Sequence, residues 1–387
     1  MSESKGKNIL FINGIFEGHI NGVTEIIKDL VSLGHNVTCY VINSFEEKLK
    51  RTGAKLKTYY IDKNSIKLPP DAPQLAINLY ILIKAYEAIL SDAIKVKEQY
   101  DYLIVDRFFD GVELNKIFKA KTVISTYTCV FDTYKFPNVD LFIQQRRAAF
   151  EPINKKYNLN IRDYLQLVYI ADAPYKLIFT SKLFNPDNRA LTDDSFLFIG
   201  PSIEERPLDD SFKFKKDENK KLIYISLGTV FNENIEFYKK CIKAFENEKE
   251  FQIIMSIGKS LDIKALGDLP DNFFVYNYVP QIQVLDYTDI FVSHGGTNSI
   301  YEALLLKNLP LIVIPVYGDQ LACAKQIEKN EAGVTLDIKN LTPEILLNSV
   351  KTFLENKEKY KNGVNKLVES FKEARKERKK VYEKLFV

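Results

Sequence analysis

A glycine-rich turn in the second half of the chain is surrounded by polar residues whose spacing could bind a phosphate group. Residues 292–320 read VSHGGTNSIYEALLLKNLPLIVIPVYGDQ, which indicates a strand end, a Gly-Gly turn, a helix and a second strand. Backbone N–H groups at a helix start bind anions, and glycines let a ligand approach closely. Asn298 and Glu302 are four residues apart on one helix face, so both can contact one ligand. The same pattern also fits an ordinary helix capped by Thr297, Asn298 or Ser299.

Two of the three histidines follow predicted strands, where a parallel sheet places functional groups. His19 lies in GIFEGHINGV, which we interpret as the loop between the first strand and a helix over residues 22–33. His294 opens the glycine-rich turn. Asp106 ends the predicted strand YLIVD, and its carboxylate could accept the Nδ1 proton of His19 and stabilise the imidazolium. Asp110 is a weaker candidate for that role, and helix capping is the structural alternative for His19 and for either aspartate.

Several catalytic motifs do not occur in the sequence. There is no Asp-x-Asp pair and no His/Cys cluster with the spacing of metal ligands, so we expect neither a metal ion nor another cofactor. There is also no G-x-x-x-x-G-K-[ST] and no G-x-S-x-G, which argues against a P-loop NTPase and an α/β-hydrolase.

Composition indicates a globular protein of about two domains. The chain has 387 residues, of which 46% are hydrophobic and 27% are charged. Its formal charge of +3 gives no reason to expect a nucleic-acid partner. The most apolar helical stretch, residues 75–90, is interrupted by polar residues and predicts a buried helix, not a membrane span. Four widely spaced cysteines and a first strand in place of a signal peptide favour a cytoplasmic location.

Short β-branched segments alternate with amphipathic helical segments, which is typical of parallel α/β units. A polar, highly charged stretch separates two such series, and we interpret it as a linker. The predicted organisation is an N-terminal domain over residues 1–202, a linker over 203–221, a C-terminal domain over 222–363 and a helix over 364–387. Both domains are expected to be doubly wound, with ligands outside the carboxyl ends of the strands.

The C-terminal segment is basic and has apolar residues with a three–four rhythm, which predicts an amphipathic helix. We expect its apolar face to pack back on the N-terminal domain and its lysine face to be solvated. Contact with a membrane surface is the alternative for such a helix. The sequence does not indicate an oligomeric state.

These segments resemble the family 1 glycosyltransferases of the GT-B fold, in particular the bacterial macrolide-type members, which use UDP-sugars to modify lipophilic small molecules. Residues 278–320 follow the family pattern of aromatic-x-Pro-Gln, then His-x-Gly-x-Asn-Ser-x-x-Glu, then Asp-Gln. GHINGV is similar to the family's Gly-His-x-x-Pro, with Gly22 in place of proline, and SLGT at 226–229 is similar to its Ser-Phe-Gly-Thr. The resemblance implies two Rossmann-like domains that face each other across a cleft.

The resemblance also implies roles for individual residues. His19 would be the general base, and Asp106 would orient it. Within the donor site, Tyr278 would stack on uracil, Glu302 would accept hydrogen bonds from the ribose hydroxyls, and the glycine-rich turn would hold the diphosphate. The implied donor-binding residues are Thr229, Ser256, Tyr278, Val279, Gln281, His294, Gly296, Asn298, Ser299, Glu302, Asp319 and Gln320, the last two binding the sugar.

The implied activity is the inverting transfer of a hexose from a UDP-sugar to a hydroxyl of a lipophilic acceptor. Gln320 is similar to the residue of glucose-preferring members, which favours glucose. Phe16, Phe108, Phe109 and Tyr127 indicate an apolar acceptor site, although such residues are also typical of a core. The alternatives are a nucleotide-sugar 2-epimerase or hydrolase on the same fold, and a non-catalytic partner protein that binds a nucleotide sugar.

Overall fold

The chain forms two compact units, each built around one parallel sheet. Unit 1 comprises Met1–Glu204 and Glu373–Val387, and unit 2 comprises Glu205–Lys372. The predicted linker begins where unit 1 gives way to unit 2, and its residues 204–207 lie outside the described residues. The computed structural model describes residues 6–62, 74–95, 98–130, 139–162, 173–203, 208–229, 232–316 and 318–386.

The sheet of unit 1 contains seven parallel strands in the order β3-β2-β1-β4-β5-β6-β7. The strands are β1 (Asn8–Ile12), β2 (Asn36–Ile42), β3 (Lys55–Tyr59), β4 (Tyr102–Asp106), β5 (Thr122–Tyr127), β6 (Tyr175–Ile178) and β7 (Phe196–Phe198). All five residues of β4 are buried, as expected for a central strand with helices on both faces.

The helices of unit 1 are α1 (Glu17–Ser32), α2 (Glu46–Lys50), α3 (Gln74–Ala93), α4 (Gly111–Phe118) and α5 (Val139–Tyr157), with 3₁₀ turns at Asn43–Phe45 and Arg189–Leu191. The predicted loop around His19 is wrong, because α1 begins at Glu17 and His19 lies in its first turn. The sequence carries no capping signal there: the N-cap is Phe16, whose side chain makes no cap hydrogen bond. Burial of Ile20 and Val23 on the core side holds this first turn in the helix.

The sheet of unit 2 contains six parallel strands in the order β10-β9-β8-β11-β12-β13. The strands are β8 (Lys221–Ser226), β9 (Phe251–Ser256), β10 (Phe273–Tyr276), β11 (Ile290–Ser293), β12 (Leu311–Val313) and β13 (Gly333–Thr335). The helices are α6 (Ile235–Phe245), α7 (Gln281–Leu285), α8 (Thr297–Tyr301), α9 (Asp319–Lys329), α10 (Pro343–Glu355) and α11 (Lys357–Leu385), with a 3₁₀ turn at Ile263–Leu266 and a π-helical turn at Glu302–Leu306.

Both sheets are doubly wound, as the alternation of segments predicted. The strand order reverses between β1 and β4 in unit 1 and between β8 and β11 in unit 2. Ligands of open α/β sheets bind outside the carboxyl ends of the strands at such a reversal. His19 follows β1 and Asp106 ends β4, while Ser226 and Ser293 end β8 and β11. Each unit therefore presents polar residues at its own reversal point.

The last part of α11 belongs to unit 1 and carries a buried arginine. Tyr382 and Leu385 lie in the same core cluster as residues of α1. The Arg378 side chain is 5% exposed and donates to the carbonyls of Ile199 at 2.9 Å and Pro201 at 2.8 Å. Its guanidinium also lies 3.2 Å from the carboxylates of Glu25 and Asp29 on α1. The lysines of this stretch, Lys372, Lys376, Lys379 and Lys380, are exposed, whereas Arg378 is buried and joins α1 to the backbone at residues 199–201.

No helix among the described parts of the chain is long and apolar enough to span a membrane.

Candidate active site

His19 and Asp106 form a hydrogen-bonded pair at the reversal point of unit 1. Nδ1 of His19 lies 2.6 Å from Oδ2 of Asp106, and the aspartate side chain is 4% exposed. Its other oxygen, Oδ1, accepts the backbone N–H of Phe108 at 3.0 Å. An ionised carboxylate can only accept hydrogen bonds, so the pair places the ring proton on Nδ1 and leaves Nε2 as the basic atom. The arrangement can remove a proton from a hydroxyl group.

Gly14 makes this pairing sterically possible. A Cβ at Gly14 would lie 2.7 Å from Cβ of His19 and 2.9 Å from Cγ of Asp106. Both distances are shorter than real side-chain contacts, so any larger residue would push the base or the carboxylate away. Gly14 was not among the residues predicted from the sequence, although a glycine close to the end of a strand can mark a place where another group approaches the backbone.

Aromatic rings surround the histidine. The ring centroid of Phe108 lies 4.7 Å from that of His19, and Phe16 packs edge-on against Phe108 at 5.2 Å. Tyr127 lines the same small cavity as His19 and Asp106. Three of the four aromatic residues predicted for the acceptor site thus lie beside the histidine pair.

Phe109 and Asp110 make structural contacts inside unit 1. Phe109 is 2% exposed and packs on Tyr86 with ring centroids 4.9 Å apart, so its ring offers no surface to an acceptor. Asp110 is fully buried, caps α4 by accepting the N–H of Glu113, and pairs with Arg162 through Nε at 2.9 Å. Its carboxylate is occupied by structural contacts, which leaves Asp106 as the partner of His19.

In unit 2, two serines face each other in register at the carboxyl ends of β8 and β11. Ser226 Oγ accepts the N–H of Gly228, and Ser293 Oγ accepts the N–H of Gly295, each at 3.2 Å. Both glycines have the left-handed backbone that favours glycine, with φ of 77° and 82°. β8 and β11 are therefore each followed by a sharp turn, and the two turns lie at the same edge of the sheet. Ser256 ends β9 beside Ser226, and Thr229 is exposed just after the first turn.

Helix α8 begins at this place without a side-chain cap. Its N-cap is Gly296, which has no side chain to accept a hydrogen bond, so none of the predicted caps occupies the N-cap position. The interpretation as an ordinary helix capped by Thr297, Asn298 or Ser299 is therefore wrong. Uncapped N–H groups at a helix start, next to glycines, are suited to an anion.

The His294 ring lies between two glycines. A Cβ at Gly228 would lie 2.5 Å from its Cε1, and a Cβ at Gly296 would lie 2.5 Å from its Nε2. Burial lowers the pKa of His294 to about 4, although the nearby Asp319 carboxylate acts in the opposite direction. His294 is therefore neutral near pH 7. Its buried Nδ1 has no hydrogen-bond partner among the residues described here.

Gln281, Ser299 and Glu302 form one hydrogen-bonded group beside the start of α8. Nε2 of Gln281 donates to Oε2 of Glu302 at 2.7 Å and to Oγ of Ser299 at 3.2 Å. Glu302 is 3% exposed, so this carboxylate is held in a defined position. Nearby in sequence, Val279 is buried, whereas the Tyr278 ring is 60% exposed and offers a face for stacking.

The predicted site residue Gln320, in the first turn of α9, forms a hydrogen bond with the backbone that precedes this helix. Oε1 of Gln320 accepts the backbone N–H of Val316 at 2.8 Å, and the residue is buried. Asp319 begins α9 directly after Gly318, whose φ is 68°. The start of α9 adjoins the glycine-rich turn, because a Cβ at Gly295 would lie 3.6 Å from the backbone oxygen of Gln320.

Asn232, which was not predicted from the sequence, contacts the turn after β8. Its Nδ2 donates to the carbonyl of Gly228 at 2.7 Å, and its side chain fills the space beside Gly258, where a Cβ would lie 2.2 Å away. Asn232 thus fixes the turn after β8. The described part of the chain has no group of three or more His, Cys, Asp or Glu side chains placed to hold a metal ion.

Comparison with known proteins finds relatives that cover more than nine tenths of the chain. A family model described as UDP-glucoronosyl and UDP-glucosyl transferase matches residues 202–375. The uncharacterized UDP-glucosyltransferase YojK of Bacillus subtilis (strain 168) is 28% identical over 387 residues, covering 95% of this chain and 94% of that protein. The NDP-glycosyltransferase YjiC of the same strain is 30% identical over 368 residues, covering 92% and 91%. The crystal structure of the glycotransferase of kitacinnamycin is similar in fold, with a TM-score of 0.79, 22% identity and 98% and 99% of the two chains covered.

Proposed function

This chain belongs to the family 1 UDP-glycosyltransferases, and we propose that it transfers a hexose from a UDP-sugar to a hydroxyl of a lipophilic small molecule with inversion at the anomeric carbon. The GT-B fold, with its two doubly wound Rossmann-like domains, and the activity of a UDP-glycosyltransferase are confirmed. The observation that carries the proposed mechanism is the 2.6 Å contact between His19 and Asp106.

In the proposed reaction His19 is the general base. Nε2 takes the proton of the acceptor hydroxyl as its oxygen attacks the anomeric carbon of the sugar. Asp106 holds the reactive tautomer and stabilises the imidazolium that forms. A single displacement inverts the anomeric carbon, and it needs no nucleophilic side chain and no metal ion at the acceptor.

Unit 2 is proposed to bind the donor. The exposed ring of Tyr278 would stack on uracil, and Glu302 would accept hydrogen bonds from the ribose hydroxyls. Charge develops on the departing UDP, and the uncapped start of α8 together with His294 offers N–H groups to stabilise it. Asp319 and Gln320 would contact the sugar, for which we favour glucose because of Gln320. YojK, a relative of this chain, is itself described as a UDP-glucosyltransferase.

The acceptor is proposed to be an apolar molecule with a hydroxyl group. The partly buried ring of Phe16 lies beside His19, with the buried rings of Phe108 and Tyr127 around the same histidine, and these apolar surroundings favour an acceptor with an aromatic or other lipophilic body. A cytoplasmic location and the lack of any cofactor remain predictions from the sequence.

Mass spectrometry of reactions with UDP-glucose and a panel of hydroxylated lipophiles tests the proposal. We expect a product heavier than the acceptor by one hexose unit, and we expect His19→Ala to lower turnover at least a hundredfold while UDP still binds. A His19→Ala enzyme that keeps most of its turnover would contradict the assignment of the base. Release of an epimer or free sugar from UDP-glucose without acceptor would favour an epimerase or hydrolase, and failure to bind any UDP-sugar would favour a non-catalytic partner.

A further inference from the structure

Tyr224 lies beneath the residues proposed to bind the nucleoside. It is 1% exposed on β8, and its ring stacks on that of Phe291 with centroids 4.9 Å apart and planes inclined by 6°. Its hydroxyl donates to Oε1 of Gln281 at 3.3 Å. Burial raises the pKa of Tyr224 well above its usual value, so the phenol stays protonated and remains a donor.

Two hydrogen bonds, one with Glu302 and one with Tyr224, together fix the orientation of the Gln281 amide. Nε2 of Gln281 faces the Glu302 carboxylate, which can only accept hydrogen bonds, so Oε1 must point the other way. Tyr224 supplies the donor that Oε1 meets there. The three residues thus form a chain in which the phenol holds the amide and the amide holds one carboxylate oxygen.

We propose that Tyr224 is a positioning residue that sets the preference of this enzyme for ribonucleotide over deoxyribonucleotide donors. It acts through Gln281 on Glu302, the residue proposed to accept the ribose hydroxyls. This inference rests on the proposed function, because it assigns to Glu302 the ribose of the UDP-sugar.

Glu302 can discriminate between ribose and deoxyribose because its carboxylate accepts hydrogen bonds from sugar hydroxyls. A ribose presents neighbouring 2′ and 3′ hydroxyls, whereas a deoxyribose presents only the 3′ hydroxyl. A site whose buried carboxylate is fixed to receive both hydroxyls loses a hydrogen bond with the deoxy analogue and rejects it. A carboxylate that can rotate adapts more readily to a single hydroxyl, and the discrimination weakens.

Titration calorimetry with UDP and 2′-deoxy-UDP tests this inference, because the two nucleotides differ only at the 2′ position. We expect the wild-type enzyme to bind UDP more tightly. Tyr224→Phe removes one neutral hydrogen bond, and we expect it to lower the ratio of the two dissociation constants roughly three- to tenfold. The matched control is Tyr382→Phe, since Tyr382 is an equally buried tyrosine of unit 1, and this variant should leave the ratio unchanged.

A double-mutant cycle with Gln281→Leu separates positioning from a general loss of structure. Once Gln281 has been replaced, Tyr224→Phe should change the ratio no further, because the amide that transmits its effect has gone. Partial unfolding would lower the number of binding sites per chain and leave the ratio of dissociation constants intact.

Two results would overturn the inference. An unchanged ratio in Tyr224→Phe, with UDP bound by the wild-type enzyme, would contradict the role of Tyr224 and leave the proposed function standing. Failure of the wild-type enzyme to bind either nucleotide would contradict the proposed function and this inference with it.

Discussion

Gly14 lies so close to His19 that a Cβ on the glycine would come within 2.7 Å of Cβ of the histidine. Gly14→Ala should therefore move the His19 ring away from Asp106 and disturb the 2.6 Å hydrogen bond. Because misplacing a catalytic group by about 1 Å can cost on the order of a hundredfold in rate, we expect kcat to fall by roughly that factor. The dissociation constant for UDP should not change, because the residues proposed to bind the donor lie in unit 2. Steady-state kinetics and calorimetry check this, and an unchanged kcat would contradict it.

Asp106 and Asp110 form a matched pair of buried aspartates with different tasks. Asp106→Asn keeps an oxygen for the N–H of Phe108 but cannot stabilise an imidazolium, so we expect kcat to fall roughly a thousandfold with little change in melting temperature. Asp110→Ala removes a helix cap and the partner of Arg162, and should lower the free energy of unfolding by about 3 kcal/mol. Kinetics and urea unfolding of both variants separate the roles. The assignment fails if Asp110→Ala folds normally and loses turnover instead.

Much of the fold and of the site follows from local patterns in the sequence. Alternating segments predict two doubly wound sheets, and such sheets bring strand ends together, so His19 and Asp106 can be paired from their positions after strands. The spacing of Asn298 and Glu302 likewise places these two residues on one helix face.

Other parts of the site depend on contacts between distant residues. Position 14 needs a glycine because His19 and Asp106 approach it from two different elements. No local sequence pattern indicates this steric crowding. The sequence indicates only that Tyr224 is a residue of a buried strand, and the hydrogen bond of its hydroxyl with Gln281 is visible only in the structure. No local pattern distinguishes Arg378 from the exposed lysines around it, and only tertiary packing buries it.

His294 should make the stability of the free enzyme depend on pH. Its pKa is lowered from 6.5 to about 4 by burial, so between these values the unfolded chain binds a proton that the folded chain does not. Stability should therefore fall as the pH drops from about 6.5 to 4, by roughly 3 kcal/mol in total from this residue. His294→Gln should remove this part of the pH dependence. Urea unfolding of both proteins at several pH values measures it, and equal slopes would refute the prediction.

Replacing the buried Arg378 should lower the stability of the protein more than replacing an exposed lysine of the same helix. Arg378→Met leaves the carbonyls of Ile199 and Pro201 and the carboxylate of Glu25 without their buried donor, so we expect unfolding to become easier by about 3 kcal/mol. Lys379→Met is the matched control, because the Lys379 side chain is 72% exposed and its loss should change stability by no more than about 0.5 kcal/mol. Thermal unfolding of the two variants compares them directly. Equal melting temperatures would show that the contacts of Arg378 with α1 add nothing to the stability of unit 1.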